Sequence, residues 1–196
     1  MKRAPKPPYL GPRLQKAFRY AAAKHAGQTR KQTAVPYLSH LMAVTALVLE
    51  AGGDEDLAIA ALLHDVVEDC GGMPRLREIH KMFGARVAKI VEGCTDSFSD
   101  PKLPWIDRKE EYLKRLKHED ADTRLVSASD KLYNARAIVT DLHAIGRAVF
   151  DRFTAGQDGT LWYYGQLSRI FRERLPGPLS NEIKRTVDLM STAAGD

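Results

Sequence analysis

Apolar residues recur along this chain at the three- and four-residue spacing of helices packed through one face. Leu14, Ala17, Phe18 and Ala21 begin a stripe that runs to His25, and Gly27 ends it. A second stripe, with Leu41, Val44, Leu47 and Val48, starts near Tyr37 and stops at Gly52-Gly53. Asp54 is placed to cap a third helix that ends at Gly71-Gly72. Further helices are expected over 75–82, 85–95, 105–118, 122–143 and 160–174, and in a last one Ser180 precedes Ile183, Thr186, Val187 and Met190. No strand alternation or internal repeat competes. Two breaker-rich loops, Ser97 to Pro104 and Gly156 to Gly159, are expected to frame a pocket mouth. The pattern predicts an all-α bundle of roughly eight to ten helices.

Composition narrows the class. With 196 residues, 44% hydrophobic and 28% charged, the chain suits one globular domain with a substantial core. Residues 1–12 are basic and proline-rich and read as a flexible tail, which leaves 13–196 for the domain. No apolar segment follows the basic start, and the longest apolar stretch, Leu41 to Leu49, is far short of a membrane span. Cys70 and Cys94 lack metal or redox spacing, so free thiols in a cytoplasmic setting are expected. The net charge of +5 favours anionic partners, yet from Lys102 to Arg136 acidic residues are interspersed among the basic ones. That mixture argues against a nucleic-acid stripe and for nucleotide phosphates. No membrane and no obligatory protein partner is indicated.

The candidate chemistry centres on Ala60-Ala61-Leu62-Leu63-His64-Asp65-Val66-Val67-Glu68-Asp69. On one continuous helix, His64, Asp65, Glu68 and Asp69 would share a face opposite Leu63, Val66 and Val67, with Ala60 and Ala61 leaving room for an ion or phosphate. An imidazole beside a carboxylate suits a divalent transition metal, but two ligands are too few. Asp130, one turn before Asn134 in a second helical segment, is a candidate third ligand. His40 lies in an apolar stripe and reads either as a satisfied core histidine or as a ligand.

The order His40, His64-Asp65, Asp130 resembles the metal-binding pattern of HD-domain phosphohydrolases. Three segments, His25 to Lys31, Leu62 to Asp69 and Ser129 to Asn134, resemble the hydrolase domain of the RelA/SpoT homologue family. Trp105 to Lys109 and Leu161 to Tyr164 are similar to its stand-alone members, the small alarmone hydrolases. The similarity runs from about residue 14 to about residue 175, with Leu41 standing where many relatives have proline.

The resemblance implies a single HD-type domain that removes the 3′-pyrophosphate from ppGpp or pppGpp, giving GDP or GTP and pyrophosphate with one Mn²⁺ ion. It implies His40, His64, Asp65 and Asp130 as ligands, and Glu68 and Asp69 as a catalytic pair handling the water and its proton. Arg30 and Lys31 would border the nucleotide, Asn134 would meet ribose or base, and Tyr163 would lie near the sugar. Lys131 either neutralises phosphate or points into solvent, and His25 supports the ligands from outside. The alternatives are the same chemistry on ppApp-type alarmones or the 2′-phosphate of NADPH, or a non-catalytic nucleotide-sensing module.

Overall fold

The fold is seen in a computed structural model that describes residues 8–97 and 103–195. Ten α-helices and one 3₁₀ segment make up the described residues, and the only β feature among them is an isolated bridge between Thr29 and Pro36. In chain order they are α1 (Pro12–Lys24), α2 (Tyr37–Glu50), α3 (Glu55–Leu63), α4 (Val66–Cys70), α5 (Met73–Phe83) and α6 (Ala85–Cys94). After the undescribed stretch come α7 (Trp105–Leu116), α8 (Ala121–Ile145), the 3₁₀ segment Gly146–Arg152, α9 (Gly156–Arg174) and α10 (Pro178–Gly195).

Local chemistry explains most boundaries. Pro12 occupies the first turn of α1, where a missing N–H costs nothing. The Asp54 carboxylate accepts from the Leu57 N–H at 3.0 Å and starts α3; Asp120 does the same for α8 through the Thr123 N–H at 2.8 Å. Gly71 and Gly72, both at positive φ, close α4 and turn the chain into α5.

Packing divides the core into two apolar clusters. The first gathers α1 to α6 around α3, every residue of which from Leu57 to Leu63 is buried. The second gathers α7, α9 and α10 with the C-terminal part of α8 around Tyr112, Leu132, Leu167 and Ile183. The 25-residue α8, about 37 Å long at helical rise, gives Val126 to the first cluster and Ala128, Leu132 and Ala135 to the second. Asp130 therefore sits where the two clusters meet.

Several expectations need correcting. The segment carrying His64 and Asp65 is not one helix: α3 ends at Leu63, and Asp65, at φ −98° and ψ −5°, leaves the helical track before α4 begins. Ala60 and Ala61 are both wholly buried in the first cluster. Phe18 lies on the outer side of its stripe, 38% exposed. Gly156 to Gly159 is the first turn of α9 rather than a loop; a Cβ on Gly159 would meet that of Ala155 at 2.5 Å and Trp105 at 3.5 Å, so glycine there permits a tight crossing. The 3₁₀ segment that extends α8 was unforeseen. Residues 1–7 of the expected tail, and 98–102 of the expected Ser97 to Pro104 loop, lie outside the described residues.

Candidate metal centre and pocket

Three helices converge on the seam between the clusters. His40 comes from the first turn of α2, His64 and Asp65 from the break between α3 and α4, and Asp130 from α8. The two imidazoles are almost wholly buried, with their Nε2 atoms 3.3 Å apart. Asp65 Oδ2 lies 3.0 Å from His64 Nε2 and 3.5 Å from that of His40. Asp130 Oδ1 lies 3.2 Å from His40 Nε2 and 3.6 Å from His64 Nε2.

Two facing imidazole nitrogens with two carboxylates beside them form a donor set that demands positive charge between them. Burial opposes protonation of His64, yet Asp65 and Asp130 together push it well above its ordinary value. Both carboxyls stay well below the usual carboxylate range although burial works against it. His64 and His40 hold Asp65 down, and Lys131 with the same histidines holds Asp130. His64 Nδ1–H donates to the Ala61 carbonyl at 2.8 Å, which fixes the tautomer whose Nε2 lone pair faces the centre. His40 Nδ1 is buried without a hydrogen-bond partner among the described residues. His40, His64 and Asp65 form a group able to hold a metal ion, with ligand atoms within 4.8 Å of one another. The residues present fit a divalent cation.

Supporting groups surround the centre, and the sequence reading missed two of them, Tyr37 and Gln28. Tyr37 Oη donates to Asp65 Oδ2 at 2.5 Å; burial and then the Asp65 carboxylate push its phenol far up, so it remains a donor. His25 stacks on the Tyr37 ring with centroids 5.1 Å apart and donates from Nδ1 to Gln28 Oε1 at 2.7 Å. Gln28 Nε2 in turn donates to Asp69 Oδ2 at 2.8 Å. Asp69 is exposed by area, but the protein packed around it and the nearby Asp65 carboxylate raise its pKa. Glu68, on the same short helix α4, accepts from the Asp96 backbone N–H at 3.3 Å.

A cavity of about 740 Å³ opens beside the centre, a size suited to a nucleotide. Arg30, Lys31, Lys131, Asn134 and Tyr163 all line it. Arg30 Nη1 donates to Asn134 Oδ1 at 2.9 Å, its guanidinium 5.3 Å from the Tyr133 ring centroid, and Asn134 Nδ2 donates to Asp130 Oδ1 at 2.6 Å. Lys31 is exposed at the rim. Lys131 turns inward rather than to solvent, its ammonium 2.6 Å from Asp130 Oδ2. Trp105, Lys109 and Tyr133 complete the wall and were not anticipated as site residues. Trp105 and Lys109 belong to the segment that resembles the small alarmone hydrolases, the one sequence signal pointing to them.

A paired-histidine, paired-aspartate centre within an all-helical bundle defines an HD-type metallohydrolase, and residues 17–161 match the family model described as the HD domain. The chain belongs to the HD-domain family. Several of its relatives carry the name guanosine-3′,5′-bis(diphosphate) 3′-pyrophosphohydrolase, and others that of a GTP pyrophosphokinase. It is 38% identical over 126 residues to guanosine-3′,5′-bis(diphosphate) 3′-pyrophosphohydrolase MESH1 of Mus musculus, covering 63% of this chain and 68% of the mouse protein. The protein of Aquifex aeolicus carrying the same enzyme name is 37% identical over 128 residues, 64% of this chain but 18% of that longer protein. A solved structure described as a metazoan ortholog of SpoT that hydrolyzes ppGpp is 28% identical, with a TM-score of 0.61, over 86% of this chain and 99% of the other.

Proposed function

We propose that the protein hydrolyses the 3′-pyrophosphate of ppGpp and pppGpp, yielding GDP or GTP and pyrophosphate, with a single Mn²⁺ held by His40, His64, Asp65 and Asp130. The observation that carries this reading is the meeting of those four side chains from three helices at the edge of a cation-lined, nucleotide-sized cavity. A divalent ion bound there would lower the pKa of a water molecule and polarise the phosphoryl group it attacks.

The remaining steps belong to the chain's own groups. Glu68 and Asp69 stand on α4 directly after the ligands, and as a pair they orient the attacking water and accept its proton. Gln28 fixes the Asp69 carboxylate. Arg30 and Lys31 at one end of the cavity hold the nucleoside and its 5′-phosphates, with Asn134 beside the sugar. Lys131, held beside Asp130, faces the phosphoryl end, where an ammonium offsets the charge of the departing pyrophosphate, and Tyr163, expected near the sugar, lines the same cavity. The substrate is thus a phosphorylated purine nucleotide, and the enzyme acts in the cytoplasm, where Cys70 and Cys94 stay reduced.

Product analysis tests the reading. Mn²⁺-loaded protein should convert ppGpp to GDP and pyrophosphate in a 1:1 ratio, with ppApp and NADPH run in parallel as competing substrates. The Glu68→Gln, Asp69→Asn double variant should bind Mn²⁺ as the wild type does and lose turnover by about 10³-fold, within the range expected for a general base. Orthophosphate from NADPH with no pyrophosphate from ppGpp, or undiminished turnover in the double variant, would contradict it.

A further inference from the structure

Asp96 lies just beyond the end of α6, outside every segment that carries the metal-binding pattern, and is buried to 8% exposure. A buried carboxylate is ordinarily met by one cation, and here two come from the first turns of α7. The Arg108 guanidinium bonds Asp96 Oδ2, and the Lys109 ammonium lies 3.0 Å from Oδ1. Arg115, further along α7, ignores the carboxylate and donates to the carbonyls of Thr95 at 2.8 Å and Asp96 at 3.1 Å. Arg108 and Arg115 tie Thr95 and Asp96 to α7.

The Lys109 ammonium does something else. It lines the cavity and lies 5.0 Å from the centroid of the Tyr163 ring. Tyr163 is 7% exposed, and its Oη has no hydrogen-bond partner among the described residues. That oxygen is buried, so the Lys109 ammonium, and not the hydroxyl, is the donor this wall offers to phosphoryl oxygens. On its other side Asp96 donates its backbone N–H to Glu68 Oε2 at 3.3 Å, so the same residue touches the phosphate-facing cation and the carboxylate pair.

We propose that Asp96 is a positioning residue that sets Lys109 against the pyrophosphoryl end of the substrate while its backbone N–H holds Glu68 for the attacking water. The proposal rests on the hydrolase reading above. Burial pulls the Lys109 pKa below its ordinary value and Asp96 opposes that pull, so the carboxylate also keeps Lys109 charged where it is needed. Asp96 is itself held below the usual range because Lys109, with Lys131 and Arg108, outweighs its burial.

A double-mutant cycle on the Mn²⁺-loaded chain decides the matter. Asp96→Asn preserves shape and the backbone N–H but removes the charge; Lys109→Met removes the ammonium. Each should lower kcat/KM for ppGpp by about tenfold or more, the scale of one lost charge-assisted bond. The double variant should be no worse than Lys109→Met within about twofold, since Asp96 acts through Lys109. In Asp96→Asn the alkaline limb of the rate profile should also move to lower pH, and a packing role would not move it. Effects that multiply, or Asp96→Asn within about twofold of wild type, would overturn the proposal. Should Asp96→Asn fail to fold, Lys109→Met alone decides, because undiminished kcat/KM there removes the group Asp96 is said to place. Calorimetry with inorganic pyrophosphate separates this proposal from the function. A wild type inactive on ppGpp, yet with pyrophosphate weakened alike by both substitutions, would sink the alarmone reading and leave the positioning role standing.

Discussion

Tyr37 shows how much of a metal centre resides one shell away from the ion. Its hydroxyl spends its only proton on Asp65 Oδ2, and the ring is fixed by stacking on His25. Removing the hydroxyl frees Asp65 to rotate away from the two imidazoles without altering any ligand. Tyr37→Phe should therefore weaken Mn²⁺ by about 10- to 100-fold, the usual cost of losing an outer partner of a ligand. Isothermal titration with Mn²⁺ reads this directly, and an unchanged affinity would mean that Asp65 is positioned by its backbone alone. The residues legible in the sequence were those whose neighbours formed a recognisable run: His64-Asp65, Glu68-Asp69, Asp130 with Asn134, Arg30-Lys31. Tyr37, Asp96 and Lys109 were not, because each takes its meaning from a partner 12 to 28 positions away that only the fold brings near. The direction of Lys131 was equally undecided, since a residue beside a ligand on a helix can turn either way until Asp130 Oδ2 captures its ammonium.

Among the elements, α8 carries the heaviest duty, spanning both clusters and delivering Asp130 and Asn134 from one face with Lys131 beside them. Its start depends on Asp120, whose carboxylate accepts from Thr123 N–H and pairs with Lys89 at 2.8 Å. Burial would raise the Asp120 carboxyl, but Lys89 and the Thr123 N–H outweigh it and hold the pKa at about 2, against 3.8 when unpaired. A carboxyl depressed in the folded state stabilises it above the unfolded value and loses that contribution as pH falls through the folded one. Asp120→Ala should thus cost about 1 kcal/mol at pH 7, typical of a lost N-cap. The difference from wild type in urea melts should shrink as the pH falls through about 2 and close only below it; a gap that persists well below that pH would show that the cap acts without its charge. The Asp120 cap was not read, but the helix start marked by Asp54, and stops marked by Gly52-Gly53 and Gly71-Gly72, were readable because each obeys the same local hydrogen-bonding rules. The interruption at His64-Asp65 was not, because the residues have helical neighbours on both sides and the break answers to the geometry of a centre assembled from α2 and α8. Gly156 to Gly159 misled in the opposite sense: its glycines serve a close crossing with Trp105 inside a helix and not a turn.

For the molecule as a whole, the two apolar clusters act as jaws with α8 as the shared spine. The first cluster supplies the metal centre and the carboxylate pair, while α7 and α9 supply Trp105, Lys109 and Tyr163 to the cavity. The helical class and the helix order were plain from periodicity. The seam was not, because periodicity tells which face of a helix is apolar and not which neighbour covers it. None of the helices among the described residues is long and apolar enough to cross a membrane. The central claim, a hydrolase built around one ion at that seam, is tested most directly by stripping the protein of metal and titrating Mn²⁺ back while following pyrophosphate release from ppGpp. Activity should be absent at the start, rise linearly, and break at one ion per chain, with no recovery in Asp65→Ala. Turnover that survives stripping, saturates at two ions, or persists in Asp65→Ala would contradict the account.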